Sequence, residues 1–153
     1  MAGIVQRFVE SNDGTRIAVY EEGNPDGPTV VLVHGWPDSH RLWDGVAPLL
    51  AKKFRVIRYD NRGAGASSVP AKASSYTMDQ LADDFAAVIA ELSPGQPVHA
   101  MGHDWGSVTV WRYIGRPEAA DRVASFTSVS GPDLDHFSRY IREGLRMPHR
   151  PKR

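Results

Sequence analysis

The stretch VHAMGHDWGSVTVW, Val98 to Trp111, decides how this chain folds. Val98 to His103 reads as a strand, and helical spacing runs from about Ser107 to Gly115, ending before Pro117. Little chain separates the two, so the strand must turn at once into the helix. Such a corner forces its central residue, Asp104, into a strained and exposed conformation and demands small neighbours. Gly102 and Gly106 meet that demand. The helix aims its free N–H groups and the positive end of its dipole at Asp104. Two readings of Asp104 stand at this point: a helix N-cap, a position that Asp suits well, or a reactive carboxylate presented on the turn.

Outward from this corner the pattern repeats. VQRFVE and TRIAVYEE form a hairpin through Ser11-Asn12-Asp13-Gly14, whose Asp-Gly supplies a positive φ. TVVLVH is continuously apolar and β-branched, the mark of a strand buried on both faces of a parallel sheet. FRVIRYD, VHAMGH and RVASFTSVS are read as further strands of that kind. Helical patterns lie between them. One spans Arg41 to Lys53, with Pro48 shortening or kinking it. The clearest opens at Thr77 and Gln80 as a capping box, places Leu81, Phe85, Val88, Ile89 and Leu92 on one face, and stops at Pro94-Gly95. An opening hairpin followed by alternating strands and helices predicts an α/β fold, a mostly parallel sheet with flanking helices.

Composition narrows the function classes. The chain has 153 residues, enough for one domain, and eighteen basic residues balance eighteen acidic ones. Neither nucleic acid nor an anionic membrane is implied as a partner. With no cysteine there is no disulfide, thiolate nucleophile or zinc ribbon. The N-terminus lacks the character of a signal peptide, and no apolar run approaches the ~20 residues of a membrane span. The expectation is a cytoplasmic protein that needs no metal or cofactor.

In open α/β sheets working residues gather at the C-terminal ends of the strands. Three such ends are polar and glycine-rich: His34-Gly35-Trp36-Pro37 with Asp38 and Ser39, Asp60 to Ser67, and Gly102 to Ser107. DNRGAGAS lacks both the third glycine of a dinucleotide loop and a Walker lysine, so packing and turn formation suit it better than nucleotide binding. HGWP follows a buried strand, where this architecture places oxyanion donors, and so favours the reactive reading of Asp104. The backbone N–H groups of Trp36 and Trp105 could both face one developing oxyanion.

From about Phe8 to Pro132 the sequence resembles an α/β-hydrolase, and within that superfamily the epoxide hydrolases. The resemblance rests on His34-Gly35-Trp36-Pro37, on Asp60 with Arg62-Gly63-x-Gly65-x-Ser67, and on Gly102-His103-Asp104-Trp105-Gly106. It implies that Asp104 is the nucleophile, that Trp36 and Trp105 form the oxyanion hole, and that Trp36-Pro37 is a cis bond. The implied substrates are a small apolar epoxide and water. A carboxylate attacking an epoxide carbon leaves an ester that water can cleave, whereas serine would leave an inert ether. The same logic covers carbon–halogen bonds. Haloalkane dehalogenases, which commonly carry Asn where this chain has Trp36, are the near rival, and a non-catalytic binding module of the same fold is the rival of another class.

The second step needs a histidine base oriented by an acid, and the family places both on later strands. His34, His99 and His103 are read as structural, and His40 lies near a helix start. His136 and His149 fall where the family inserts its cap, as does Tyr140. Asp133 is at most an acid of the kind some relatives place there. The expectation is therefore an incomplete hydrolase core, residues 1–132, followed by the start of a cap, 133–153, and incompetent for turnover alone. RVASFTSVS would form an exposed sheet edge prone to self-association. SGPDLDHF further resembles hydrolase domains fused to a short-chain dehydrogenase, a C-terminal domain of the whole protein.

Overall fold

The computed structural model describes residues 3–146. Among them six strands form one sheet: β1 (Val5–Glu10), β2 (Arg16–Gly23), β3 (Thr29–Val33), β4 (Arg55–Tyr59), β5 (Val98–His103) and β6 (Val123–Val129), in the order β1-β2-β4-β3-β5-β6. β1 and β2 pair antiparallel with each other, and β2 pairs antiparallel with β4. From β4 through β3 and β5 to β6 every pairing is parallel. The α/β expectation holds, with a parallel sheet carrying an antiparallel hairpin on one side. Gly14, at φ +82°, closes the hairpin turn as its Asp-Gly pair requires.

Alternation along β3 builds two cores. Val31 and Val33 face helices α2 (Met78–Leu92) and α3 (Trp105–Ile114) and pack with Ile57, Phe85, Val88 and Val110. Val30 and Leu32 face the other layer, where Trp43 and Ala47 cover them. That second layer breaks the expected Arg41–Lys53 helix more fully than the shortening or kink expected at Pro48. It is a 3-10 turn, His40–Trp43, followed by the four-residue α1 (Ala47–Leu50), which opens with Pro48 in its first turn. Proline cannot donate a helical hydrogen bond, so it begins a new helix instead of continuing one. Thr77 caps α2 by accepting from the Gln80 N–H, but the Gln80 side-chain oxygen does not accept the Thr77 N–H in return and its amide nitrogen donates to Asn12, so only half of the capping box forms.

β6 lies at the edge of the sheet among the described strands. Phe126 packs against Trp111 with ring centroids 4.9 Å apart, while Val129 and much of the strand are exposed. Helix α4 (Leu134–Arg146) follows, capped by Asp133, whose Oδ1 accepts the N–H groups of Asp135 and His136. No described helix is long and apolar enough to cross a membrane.

Arg62 ties the β4 end to the hairpin and to α2. Its Nε and Nη2 donate to the two oxygens of Asp84 at 2.7 and 2.6 Å, and its Nη1 donates to Asp13 at 2.8 Å and to the Ser75 carbonyl at 2.7 Å. Both members of the Arg62–Asp84 pair are buried. Removing one partner of such a pair leaves a buried charge unpaired, at a cost of about 3–5 kcal/mol. Arg62→Met should lower stability in urea by about that amount, and Arg62→Met with Asp84→Leu should recover much of the loss. Asp13, the exposed member, is held down to about 2 by the Arg62 hydrogen bond, which outweighs burial. A lowered carboxylate stabilises the fold above its ordinary value near 3.9 and stops doing so as pH falls through the folded value. Asp13→Asn should therefore destabilise the protein at about pH 6, and the gap from the unsubstituted protein should narrow between about pH 4 and pH 2 in pH-dependent denaturation.

Candidate active site

The β5–α3 corner puts Asp104 at φ 53°, ψ −125°, a conformation that L residues other than glycine avoid. Close packing leaves it no alternative. A Cβ on Gly102 would lie 2.7 Å from the Ser107 backbone, one on Gly106 would meet the Val33 and His34 carbonyls, and one on Gly131 would meet the Asp104 carbonyl. Hydrogen bonds complete the frame. The Asp104 N–H donates to the Val129 carbonyl at 3.0 Å, and the buried Ser107 hydroxyl donates to the Gly102 carbonyl at 2.6 Å.

The two readings of the Asp104 side chain now separate. It makes no capping bond to α3. Its Oδ1 instead accepts the backbone N–H of Trp36 at 3.2 Å. The HGWP loop lies directly against it: a Cβ on Gly35 would sit 2.6 Å from Asp104 Cβ and 2.8 Å from Cγ. The Trp36–Pro37 peptide is cis. Trp105 is the first residue of α3, so its N–H is one of those a helix leaves without an internal acceptor.

The loop rests on a polar layer that the sequence disclosed only in part. His34 is buried, and its Nδ1 lies 2.7 Å from the Gly35 carbonyl. Its Nε2 accepts the Asn61 backbone N–H at 3.0 Å, and the Asn61 side chain donates to the His34 carbonyl at 2.7 Å. Burial pushes the His34 ring below its ordinary value, outweighing the bond to Gly35, so it stays neutral. Beside it Asp60, fully enclosed, accepts both the N–H and the ring Nδ1 of His40 at 2.8 Å, the Ala66 N–H at 3.0 Å and the Tyr20 hydroxyl at 3.0 Å. Burial alone would raise the Asp60 carboxyl, but the bonds from His40 and Ala66 hold it low. The His40 ring stacks on Tyr20, centroids 3.6 Å apart. Gly65, at φ +51°, passes over Asp60 where a Cβ would overlap its carboxylate, and the Ser67 hydroxyl donates to the Asp60 carbonyl at 2.6 Å. Packing and turn formation are what DNRGAGAS does. Asn61 gave no sign of its role, because nothing in its sequence position points back to His34.

A cavity of about 830 Å³ opens between the HGWP and DNRGAGAS loops, with Trp105 on its wall. Trp36 is 79% exposed and Trp105 46%, so large apolar faces flank the site. The histidines are engaged away from Asp104: His99 with Ser125, His40 with Asp60, and His136 with Asp133. His103 Nδ1 is buried without a partner. The Asp133 carboxylate is spent on capping α4. Tyr140 stands exposed on that helix. His149 and most of the basic tail lie outside the described residues.

A profile of the alpha/beta hydrolase fold matches residues 28–147. The chain belongs to this family. Its relatives include a protein named probable oxidoreductase EphD in Mycobacterium bovis and Mycobacterium tuberculosis, 69% identical over 97% of the chain and 25% of the relative. Epoxide hydrolase A of Mycobacterium tuberculosis is 36% identical over 88% of the chain and 41% of that protein. Among solved structures, Epoxide Hydrolase A from Mycobacterium thermoresistibile superposes with a TM-score of 0.77 at 29% identity, covering 95% of this chain and 46% of that one. The chain thus spans between a quarter and a half of the length of these relatives, and it covers part of the hydrolase core.

The Gly35–Asp104 contact yields a direct test. Gly35→Ala should destabilise the protein by about 1–3 kcal/mol, because the added methyl overlaps Asp104. Gly45→Ala, where a Cβ meets nothing within 4 Å, should stay within about 0.5 kcal/mol in the same thermal unfolding experiment.

Proposed function

We propose that this chain is the nucleophile-bearing part of an epoxide hydrolase, with Asp104 attacking the epoxide carbon. The observation that carries the reading is the Trp36 N–H on Asp104 Oδ1, made by a carboxylate that declines to cap its own helix. With Oδ1 held, Oδ2 is the oxygen free to attack. It forms a C–O bond as the ring C–O bond breaks, and the ring oxygen takes a proton. Oδ1 is then the carbonyl oxygen of the new ester. When water adds to Cγ, negative charge grows on that oxygen, and the Trp36 and Trp105 N–H groups stabilise it in place. Collapse releases the diol and restores the carboxylate.

The names of the relatives support the substrate class. The groups that protonate the ring oxygen and activate the water are assigned to the protein beyond these residues, with 133–153 as the start of the cap. Alone, these residues would be alkylated at most once and not turn over. The EphD relatives, of which this chain covers 25% and whose name is that of an oxidoreductase, support a further redox domain in the whole protein.

Intact-mass measurement of the full-length protein with a reactive epoxide tests the reading. An adduct and diol should form, and Asp104→Ala should abolish the adduct and lower diol formation at least about 10³-fold. Halide release from haloalkanes without diol formation would make it a dehalogenase instead. Neither adduct nor product would leave a binding module.

A further inference from the structure

The oxyanion donor of Trp36 is only as good as the orientation of the peptide that carries it. That peptide, Gly35–Trp36, is trans, so its C=O and N–H point in opposite directions. Fixing one end fixes the other. The N–H end meets Asp104 Oδ1 at 3.2 Å, and the C=O end meets His34 Nδ1 at 2.7 Å. A carbonyl can only accept, so Nδ1 must carry the proton; a backbone N–H can only donate, so Nε2, 3.0 Å from the Asn61 nitrogen, must be bare. The two neighbours select one tautomer. Asn61 also holds the His34 carbonyl from the other side at 2.7 Å. The ring is thus gripped at one nitrogen, its backbone at the carbonyl, and its remaining proton is directed along one line: imidazole, peptide, carboxylate.

We propose that His34 and Asn61 form a clamp that aims the Gly35–Trp36 peptide, so that they act as positioning residues for the oxyanion hole. The proposal rests on the nucleophile reading of Asp104 for its catalytic consequence, but its geometric core does not. The hole stabilises charge that appears on Oδ1 when water attacks the ester, whereas alkylation removes charge from that carboxylate. Loss of the clamp therefore slows ester hydrolysis more than ester formation. A residue that served packing alone would weaken both steps together, through general loosening.

The clamp predicts a difference between two substitutions at one site. The asparagine amide can place an N–H near the position of Nδ1, while leucine fills the space and donates nothing. In the full-length protein, single-turnover mass measurements with an epoxide should show His34→Leu accumulating the alkyl-enzyme. Its hydrolysis should be slowed about 10²–10³-fold, with alkylation changed far less. His34→Asn should recover most of the hydrolysis rate. Asn61→Ala, which removes only the bond to the His34 carbonyl, should slow hydrolysis selectively but to a smaller degree. It carries the same comparison if His34→Leu does not fold. Equal slowing of both steps in His34→Leu, or in Asn61→Ala where that variant stands in, or His34→Asn no better than His34→Leu, would overturn the clamp. Selective ¹⁵N-tryptophan labelling supplies a readout free of chemistry. The Trp36 amide proton, downfield while bonded to a carboxylate, should move upfield in His34→Leu and stay in place in His34→Asn. If the unsubstituted protein forms no adduct while the Trp36 amide still follows His34, the nucleophile reading falls and the clamp stands; an amide indifferent to His34 removes the clamp.

Discussion

The whole site depends on the absence of Cβ atoms where β5 runs into α3. Asp104 occupies a backbone conformation that costs of order 1–3 kcal/mol, and it persists because its surroundings admit nothing else. Three glycines let the segments around it close up: the Val33 and His34 carbonyls lie against Gly106, the first turn of α3 against Gly102, and the Asp104 carbonyl against Gly131. Gly35 then lets a fourth segment close on the side chain itself. Strain here is the means by which a carboxylate is turned away from the helix it precedes and towards the neighbouring loop. The order of strands in the sheet follows the same logic: β3 and β5 are adjacent, so the loops leaving their C-terminal ends meet by necessity.

Polar groups hold the rest in a graded way. Asp60 collects four donors in one enclosed position and so joins the start of the His40–Trp43 turn, the DNRGAGAS loop and β2 through Tyr20. Arg62, one residue beyond Asn61, fastens the same loop to α2 and the hairpin. Between these two anchors, Asn61 is left with its backbone and side chain both directed at His34. The loop is therefore held at its ends for reasons of folding, and that is what makes a precise hydrogen bond to the HGWP loop achievable in its middle. Satisfied buried polar networks of this kind specify one geometry, since any slippage would leave several groups unpaired at once.

The parts of this arrangement visible in sequence are those set by local chain chemistry. The Asp-Gly turn, the apolar β3 run, the Thr77 cap and the Gly102–Gly106 corner each follow from residues close in the chain, and each forms. The family resemblance then named the carboxylate and the loop that faces it, and the sheet brings the two together. What sequence left undetermined involves pairing across distance. The Arg41–Lys53 helix, expected to shorten or kink at Pro48, breaks there, and the 3-10 turn before it buries Trp43. Arg58 sits in a strand that reads as apolar, buried because Glu22 and Asp44 pair with it from separate segments. Asn61 and Asp60 looked like parts of a glycine-rich turn, and the histidines they hold, His34 and His40, lie 27 and 20 residues away.

With Asp104 as the proposed nucleophile, Trp36 would join the two demands that the chemistry places on this site. Its backbone N–H serves the carboxylate, and its side chain, 79% exposed, spreads apolar surface over the mouth of the cavity alongside Trp105. A carboxylate open to bulk water spends its charge on hydration and attacks carbon poorly, whereas the same carboxylate under an apolar cover keeps that charge for the reaction. Water must nevertheless return for the second step, as a single positioned molecule rather than as solvent. The two tryptophans meet the first requirement only when something lies over them, and the fixed N–H meets the second only when charge has moved onto Oδ1. In the reaction proposed above, binding energy and charge stabilisation would be separated on one residue, the indole serving substrate enclosure and the peptide the ester's hydrolysis. Because the peptide is fixed from below by His34 and the indole is exposed above, the proposed reaction could accept different substrate shapes at the mouth without disturbing the Trp36–Asp104 hydrogen bond.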